Sequence, residues 1–135
     1  MMKKLIGILF CFFIISLSFG QALKMKATSF AYKIKINDYL WDNWSSWQPS
    51  NVLIAVFDTD RFVIYSEKVQ IYDAIKNEGN TIDSDGDETL SILCIDNEGN
   101  RCRIRLVILN SENGRMQIYV DYNDAKWVYN VYLLD

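Results

Sequence analysis

Beyond its first twenty residues, this chain is built from short apolar stretches with a period of two. Phe30, Tyr32, Ile34 and Ile36 alternate with Ala31, Lys33 and Lys35. Cys102, Ile104, Leu106 and Ile108 alternate with Arg103, Arg105 and Val107. Successive side chains of a strand point to opposite faces, so this spacing gives a sheet one side for a core and one for water. Clusters of turn-forming residues separate the stretches: Asp58-Thr59-Asp60-Arg61, Asn97-Glu98-Gly99-Asn100 and Asn123-Asp124. The pattern predicts strands over 24–36, 52–57, 62–65, 69–75, 90–95, 103–109, 116–122 and 126–133. Their short connections predict an all-β fold, an antiparallel meander of about seven to eight strands that forms a small barrel or a sandwich. Closure removes exposed strand edges and so favours the barrel. Helical patterning is weak, confined to a turn near 73–76 and one or two turns at 42–47.

The first twenty residues follow a different rule. Lys3 and Lys4 precede an uncharged run from Leu5 to Phe19, and Ser18 and Gly20 place small residues before Gln21. A basic start, an apolar run and a small-residue cleavage site are the marks of a secretory signal peptide, and the run is short for a membrane span. The leader resembles bacterial export signals. Residues 1–20 are therefore expected to be a signal peptide and 21–135 a single all-β domain, secreted or periplasmic, with no stable membrane insertion after cleavage. Cys11 belongs to the leader. Pro49 is the only proline, and no linker divides the remainder.

Removing residues 1–20 takes away two lysines, leaving 12 basic side chains against 17 acidic ones and a net charge of −5. With no basic run in the sequence, nucleic acid is not an expected partner, since phosphate contacts need concentrated Lys and Arg. The chain has no histidine. That excludes Ser-His-Asp and Cys-His mechanisms in their usual form, as well as zinc sites built on imidazole. No phosphate loop, nucleophile elbow or dinucleotide-binding glycine pattern is present. No cofactor is expected, and the chain is not expected to be an enzyme. The residual catalytic class is a hydrolase working with carboxylates alone.

Three features remain. Cys94 and Cys102 are the only cysteines after the leader, one on each arm of a predicted hairpin. If residues 97–99 form a three-residue loop the two cysteines stand opposite each other, whereas a two- or four-residue loop sets Cys94 opposite Arg103; with the first, an oxidising compartment favours a disulfide, the alternative being two buried thiols. Trp41, Trp44 and Trp47 recur every third residue within Trp-Asp-Asn-Trp-Ser-Ser-Trp. In a tight helical turn they stack on one side. They are candidate ligand-binding residues, an aromatic platform for sugar rings, or else a plug that folds its indoles over an open end of the barrel. Asp83, Asp85 and Asp87 with Gly86 suggest a calcium loop, but the glycine and the glutamate fall out of phase for an EF-hand. A solvated acidic turn is the expectation there, with no metal site.

The functional expectation is an exported, non-enzymatic binding or interaction module whose partner is a glycan or an envelope protein. The alternatives are a structural accessory subunit that pairs through an edge strand, and the carboxylate-only hydrolase.

Overall fold

A computed structural model describes residues 22–58 and 60–134. The leader assigned to residues 1–20 lies outside the described residues. The chain forms ten strands: β1 (Leu23–Asn37), β2 (Leu40–Trp41), β3 (Gln48–Pro49), β4 (Leu53–Phe57), β5 (Arg61–Ile64), β6 (Gln70–Ile82), β7 (Glu88–Asp96), β8 (Arg101–Leu109), β9 (Arg115–Asp121) and β10 (Ala125–Leu133). A single 3-10 turn, Asn110–Glu112, joins β8 to β9. No helix among the described residues is long and apolar enough to cross a membrane.

Each strand from β4 to β10 pairs antiparallel with the next, β4 also pairs with β1, and β10 pairs back with β1. Eight strands therefore close into an up-and-down barrel, with β2 and β3 as additions. The sandwich alternative is not what forms. The closing ladder is long, running from Met25 opposite Leu133 to Ile34 opposite Ala125. The inward set of each alternating stretch fills the barrel. Met25, Ile54, Ile64, Ile104, Ile118 and Val120 are all buried in one continuous cluster.

β1 is much longer than its pairing with β4, which covers only Leu23 to Lys26. β3 takes up the same edge at Ser29 and Phe30, and β2 at Lys35 and Asn37. β2, β3 and β4 are thus one return arm of a β1 hairpin, interrupted at residues 42–47. The helical turn expected at 42–47 does not form. The segment is tied to β1 instead: the Ser45 amide donates to the Tyr32 carbonyl (2.7 Å), and the Tyr32 amide donates to Ser45 Oγ (2.9 Å).

β6 runs to Ile82, well past the expected end near residue 75, so the acidic loop shrinks to 83–87. Lys76, Asn77, Glu78, Gly79 and Asn80 carry no alternation. Pairing with β7 draws them into the sheet through two register shifts, after Ala74 and after Asn77. Gly79, at φ +94°, supplies a conformation other residues adopt at a cost. β5 reaches only as far as Asp73 on the other side, which leaves the outer edge of β6 unpaired beyond Ala74.

The β7–β8 hairpin has the register read from its sequence. The Asp96 amide donates to the Asn100 carbonyl (2.8 Å), Gly99 sits at φ +87°, and Cys94 faces Cys102 directly. Both are free thiols, so the expected disulfide is not made. The register supplies a reason. Asp96 and Asn100 form a hydrogen-bonded pair, and two residues along, so do Cys94 and Cys102. At such positions Cβ atoms stand at the wide end of the cross-strand range, about 5.5 Å, whereas a disulfide wants about 3.5–4.5 Å. Burial pushes the Cys94 thiol up to about 12 and the Cys102 thiol up to about 11. The thiolate is the nucleophile, so both sulfurs are unreactive while folded. Native protein at pH 8 is expected to resist iodoacetamide and to take up two labels once unfolded in urea, read by intact mass. A native mass two hydrogens lower, restored by reductant, would show the bond to form after all.

Candidate functional site

The outward residues of β1, β10, β9 and β8 form a wall that is unexpectedly well covered. Ala31 and Val128 are register partners on this outer face, Tyr119 lies opposite Val128, and both Ala31 and Val128 are buried. The cover comes from the 42–47 segment. The Trp44 ring meets the Tyr119 ring edge-on, with centroids 6.0 Å apart. The Trp44 and Tyr119 side chains thus meet over β1 and β10 from backbones three strand spacings of about 4.8 Å apart. This explains why β10 is apolar on both faces.

Cations and rings alternate along the wall. The Arg105 guanidinium lies 4.1 Å from the centroid of Tyr119. Tyr119 touches Trp44, and Lys33 Nζ stands 4.9 Å from the centroid of Trp44. Trp41 is ringed by three ammonium groups, Lys126 at 4.9 Å, Lys33 at 5.6 Å and Lys35 at 5.7 Å. Each such contact is worth about 0.5–1 kcal/mol at an exposed site and more as water is excluded. The local fold dictates the arrangement. Lys33 and Lys35 are the outward residues of β1, Lys126 is the outward partner of Lys33 on β10, and Trp41 sits opposite Lys35 on β2.

Beside Trp41 the wall opens into a cleft of about 430 Å³, bordered by Lys126, Arg101, Arg103, Tyr122 and Asn123. Two of the arginines on this wall are neutralised. Arg105 forms a two-pronged pair with Asp121, and Arg103 forms one with Glu78. Lys33, Lys35, Lys126 and Arg101 have no carboxylate within ion-pair distance among the described residues.

The three sequence-predicted tryptophans therefore part company. Trp41 is half-buried, Trp44 is 39% exposed and Trp47 is 48% exposed. The plug is ruled out for these residues, because they lie on the outside of a barrel already filled by aliphatic side chains. Trp41 and Trp44 share Lys33, whereas Trp47 makes no ring or cation contact among the described residues. Sequence reasoning missed the cations. Lys33, Lys35, Arg101 and Lys126 come from three separate strands, and only the register brings them together. The one available signal was the pair of outward lysines in β1.

A second, smaller hollow of about 300 Å³ lies at the open end of the barrel, bordered by Val69, Gln70, Tyr72, Asp96, Tyr122 and Trp127. Trp127 stacks on Tyr122 at 5.4 Å there. Burial pushes the Tyr72 and Tyr122 hydroxyls far up, so both remain protonated donors. The acidic loop brings the carboxylates of Asp83, Asp85 and Asp87 within 4.8 Å of one another. Two of the three are engaged locally. Asp83 Oδ1 accepts the amides of Asp85 and Asp87, and Asp87 accepts the amide and hydroxyl of Ser111. This is the bonding of a loop that staples itself to the 3-10 turn.

No family model, curated protein or solved structure matches this chain. Its functional reading rests on its own geometry.

Asp96 closes the β7–β8 hairpin and borders the smaller hollow. Burial alone would raise its carboxyl, but the Tyr122 hydroxyl (2.6 Å) and the amides of Asn100 and Glu98 outweigh burial and hold it below the usual carboxylate range. A depressed native value means stability that is complete above the unfolded value of about 3.9 and is lost as pH falls through the lower native value. Asp96→Asn is expected to lower stability at pH 7 by about 1.5 kcal/mol. Below the native value, where wild-type Asp96 is itself neutral, the gap should narrow. Urea titrations in steps from pH 7 down through the acid range measure this, and a gap that stays constant throughout would show the Asp96 charge to be irrelevant.

Proposed function

We propose that this chain is an exported, non-enzymatic binding module that takes a glycan on the tryptophan-bearing outer wall of its barrel. One observation carries the reading: Trp41 borders an open cleft, with the partly exposed Trp44 beside it, on the outside of a barrel whose interior is full. An aromatic face suits the C–H face of a pyranose ring, and Asn123 and Tyr122 on the cleft border offer hydrogen-bonding groups for hydroxyls. The non-enzymatic part is supported by the lack of histidine and by the state of the carboxylates bordering the two hollows. Asp121 is held by Arg105, Glu98 is paired with Lys68 at the surface, and Asp96 is held in its charged form, the opposite of what a general acid needs. Export rests on the leader sequence alone.

Trp41→Ala and Trp44→Ala should each weaken glycan binding about tenfold or more, about 1.4 kcal/mol, while the far-ultraviolet dichroism stays that of the parent, because each removes one ring of the aromatic wall. Affinity electrophoresis through gels cast with soluble polysaccharides, neutral and charged, reads this directly. Retardation that survives both substitutions, or no retardation by any polysaccharide, would overturn the proposal.

A second reading, an accessory subunit that pairs through an edge strand, is favoured by the unpaired edge of β6 from residue 75 to 82. Against it stand the two bulges, Lys76, Glu78 and the positive φ of Gly79, devices that blunt an edge. Hydrogen exchange separates the two readings. Amides on that edge should exchange rapidly at every protein concentration, and protection that grows with concentration would promote the edge reading.

A further inference from the structure

The domain is acidic overall, yet the surface around Trp41 is cationic: among the described residues no carboxylate lies within ion-pair distance of Lys33, Lys35, Lys126 or Arg101, and the one acid that borders the cleft, Asp121, is the β9 ladder partner of Lys126 but is held by Arg105. Lys33 and Lys126 are direct register partners on the outer face of the β1–β10 ladder. Like charges in that position repel and destabilise a sheet. Lys35 adds a third ammonium to the same ring, and all three lysines are half-buried, where repulsion is screened less than at a free surface. Across the cleft Arg101 extends outward from the start of β8, also without a carboxylate. The neighbouring arginines show that acids are available to this wall, since Asp121 and Glu78 neutralise Arg105 and Arg103. The cations that border Trp41 are the ones left without them.

Resting on the glycan reading above, we infer that the ligand is an anionic saccharide, carrying carboxylates or sulfates, that stacks a sugar ring on Trp41 and sets its anion among Lys33, Lys126 and Arg101. The bound anion relieves the repulsion between the paired lysines, so the ligand supplies the counter-charge missing from the wall. Charge-assisted hydrogen bonds from ammonium and guanidinium groups are stronger than neutral ones, and Arg adds a planar fork suited to carboxylate or sulfate. A neutral sugar keeps the stacking and loses these bonds.

Matched polymers test this with the charge as the only variable. The probes are polygalacturonate against its methyl ester, and dextran sulfate against dextran, with the full domain in affinity electrophoresis and titration calorimetry. The acidic form of at least one pair should bind at least tenfold tighter than its neutral counterpart, and the advantage should fall as salt rises from 50 to 300 mM. Lys33→Gln with Lys126→Gln should erase the advantage while leaving residual binding to the neutral form. Trp41→Ala should abolish both. Equal affinity for the charged and neutral members of both pairs would overturn this inference and leave the glycan reading standing, whereas no binding to any of the four would remove both. A single-stranded oligothymidylate bound as tightly as the better acidic glycan would also overturn it, by showing a general polyanion surface with no selection for sugar. If Lys33→Gln/Lys126→Gln fails to raise the urea midpoint of the unliganded protein, the claimed repulsion is absent and the inference falls on that count too.

Discussion

The antiparallel seam between β1 and β10 is the constraint on which the rest depends. It joins residues about a hundred positions apart in the chain, Met25 with Leu133 and Ile34 with Ala125. Without it the meander is an open, twisted sheet with two free edges and an exposed apolar face. With it, the inward set of every strand meets a common centre. The seam also has to be long, because the strands lie tilted and staggered round the barrel. β1 therefore runs well past the point where β4 leaves it, and its far edge needs another cover. The return arm provides that cover in pieces, as β2 and β3, with Trp41 at the end of β2 and Trp44 and Trp47 in the gap between them. The candidate site is a geometrical consequence of how this barrel closes.

A filled interior decides where a ligand can go. Small eight-stranded barrels have room for packed side chains or for one small ligand. Here the branched aliphatics of β4, β5, β8 and β9, together with Tyr72 and Tyr129, occupy the space. On the proposed reading, recognition falls to the outer wall, where strand register presents side chains at fixed spacing. Lysines at Lys33, Lys35 and Lys126 hold their positions because the β1–β10 ladder holds them, so the cleft beside Trp41 is preorganised and not assembled by a loop on encounter.

Much of this was legible in the sequence, for identifiable reasons. Strict alternation in 103–109 and 116–122 fixed those strands and their inward faces, since a one-residue slip would turn Ile104 and Ile118 outward. The three-residue turn at 97–99 placed Cys94 opposite Cys102. What register alone did not disclose was whether that pair occupies a hydrogen-bonded site, where cross-strand spacing is wider than at a non-hydrogen-bonded one. The second half of β6 was illegible because Lys76, Asn77, Glu78 and Asn80 enter the sheet through partnership with β7 and not through any pattern of their own. The tryptophan spacing suggested a helical turn because i, i+3, i+6 spacing is shared by a tight helix and by an irregular segment draped over a sheet. Only the length of β1, and hence the need to cover its edge, tells them apart.

The charge of the site was hidden for a different reason. A net count treats the surface as uniform, and an acidic total made a basic patch look unavailable. Charge on a barrel is distributed by strand parity. In β8 the outward positions are Arg101, Arg103 and Arg105, in β1 Lys33 and Lys35, and in β10 Lys126, all on one continuous stretch of wall near one end. Many of the acids fall in turns, at 58–60, 83–87 and 96–98, away from that face. Parity concentrates the cations while the total stays negative. The same parity makes the patch costly to keep, because ladder partners of like sign start from Cβ atoms only about 4.5–5.5 Å apart. Asp121 is the β9 ladder partner of Lys126, but its two oxygens are held by Arg105, and one glutamate at position 33 or 126 would relieve the Lys33–Lys126 opposition directly. That the opposition stands beside two indoles and an open cleft is the strongest sign on this molecule that something negatively charged belongs there.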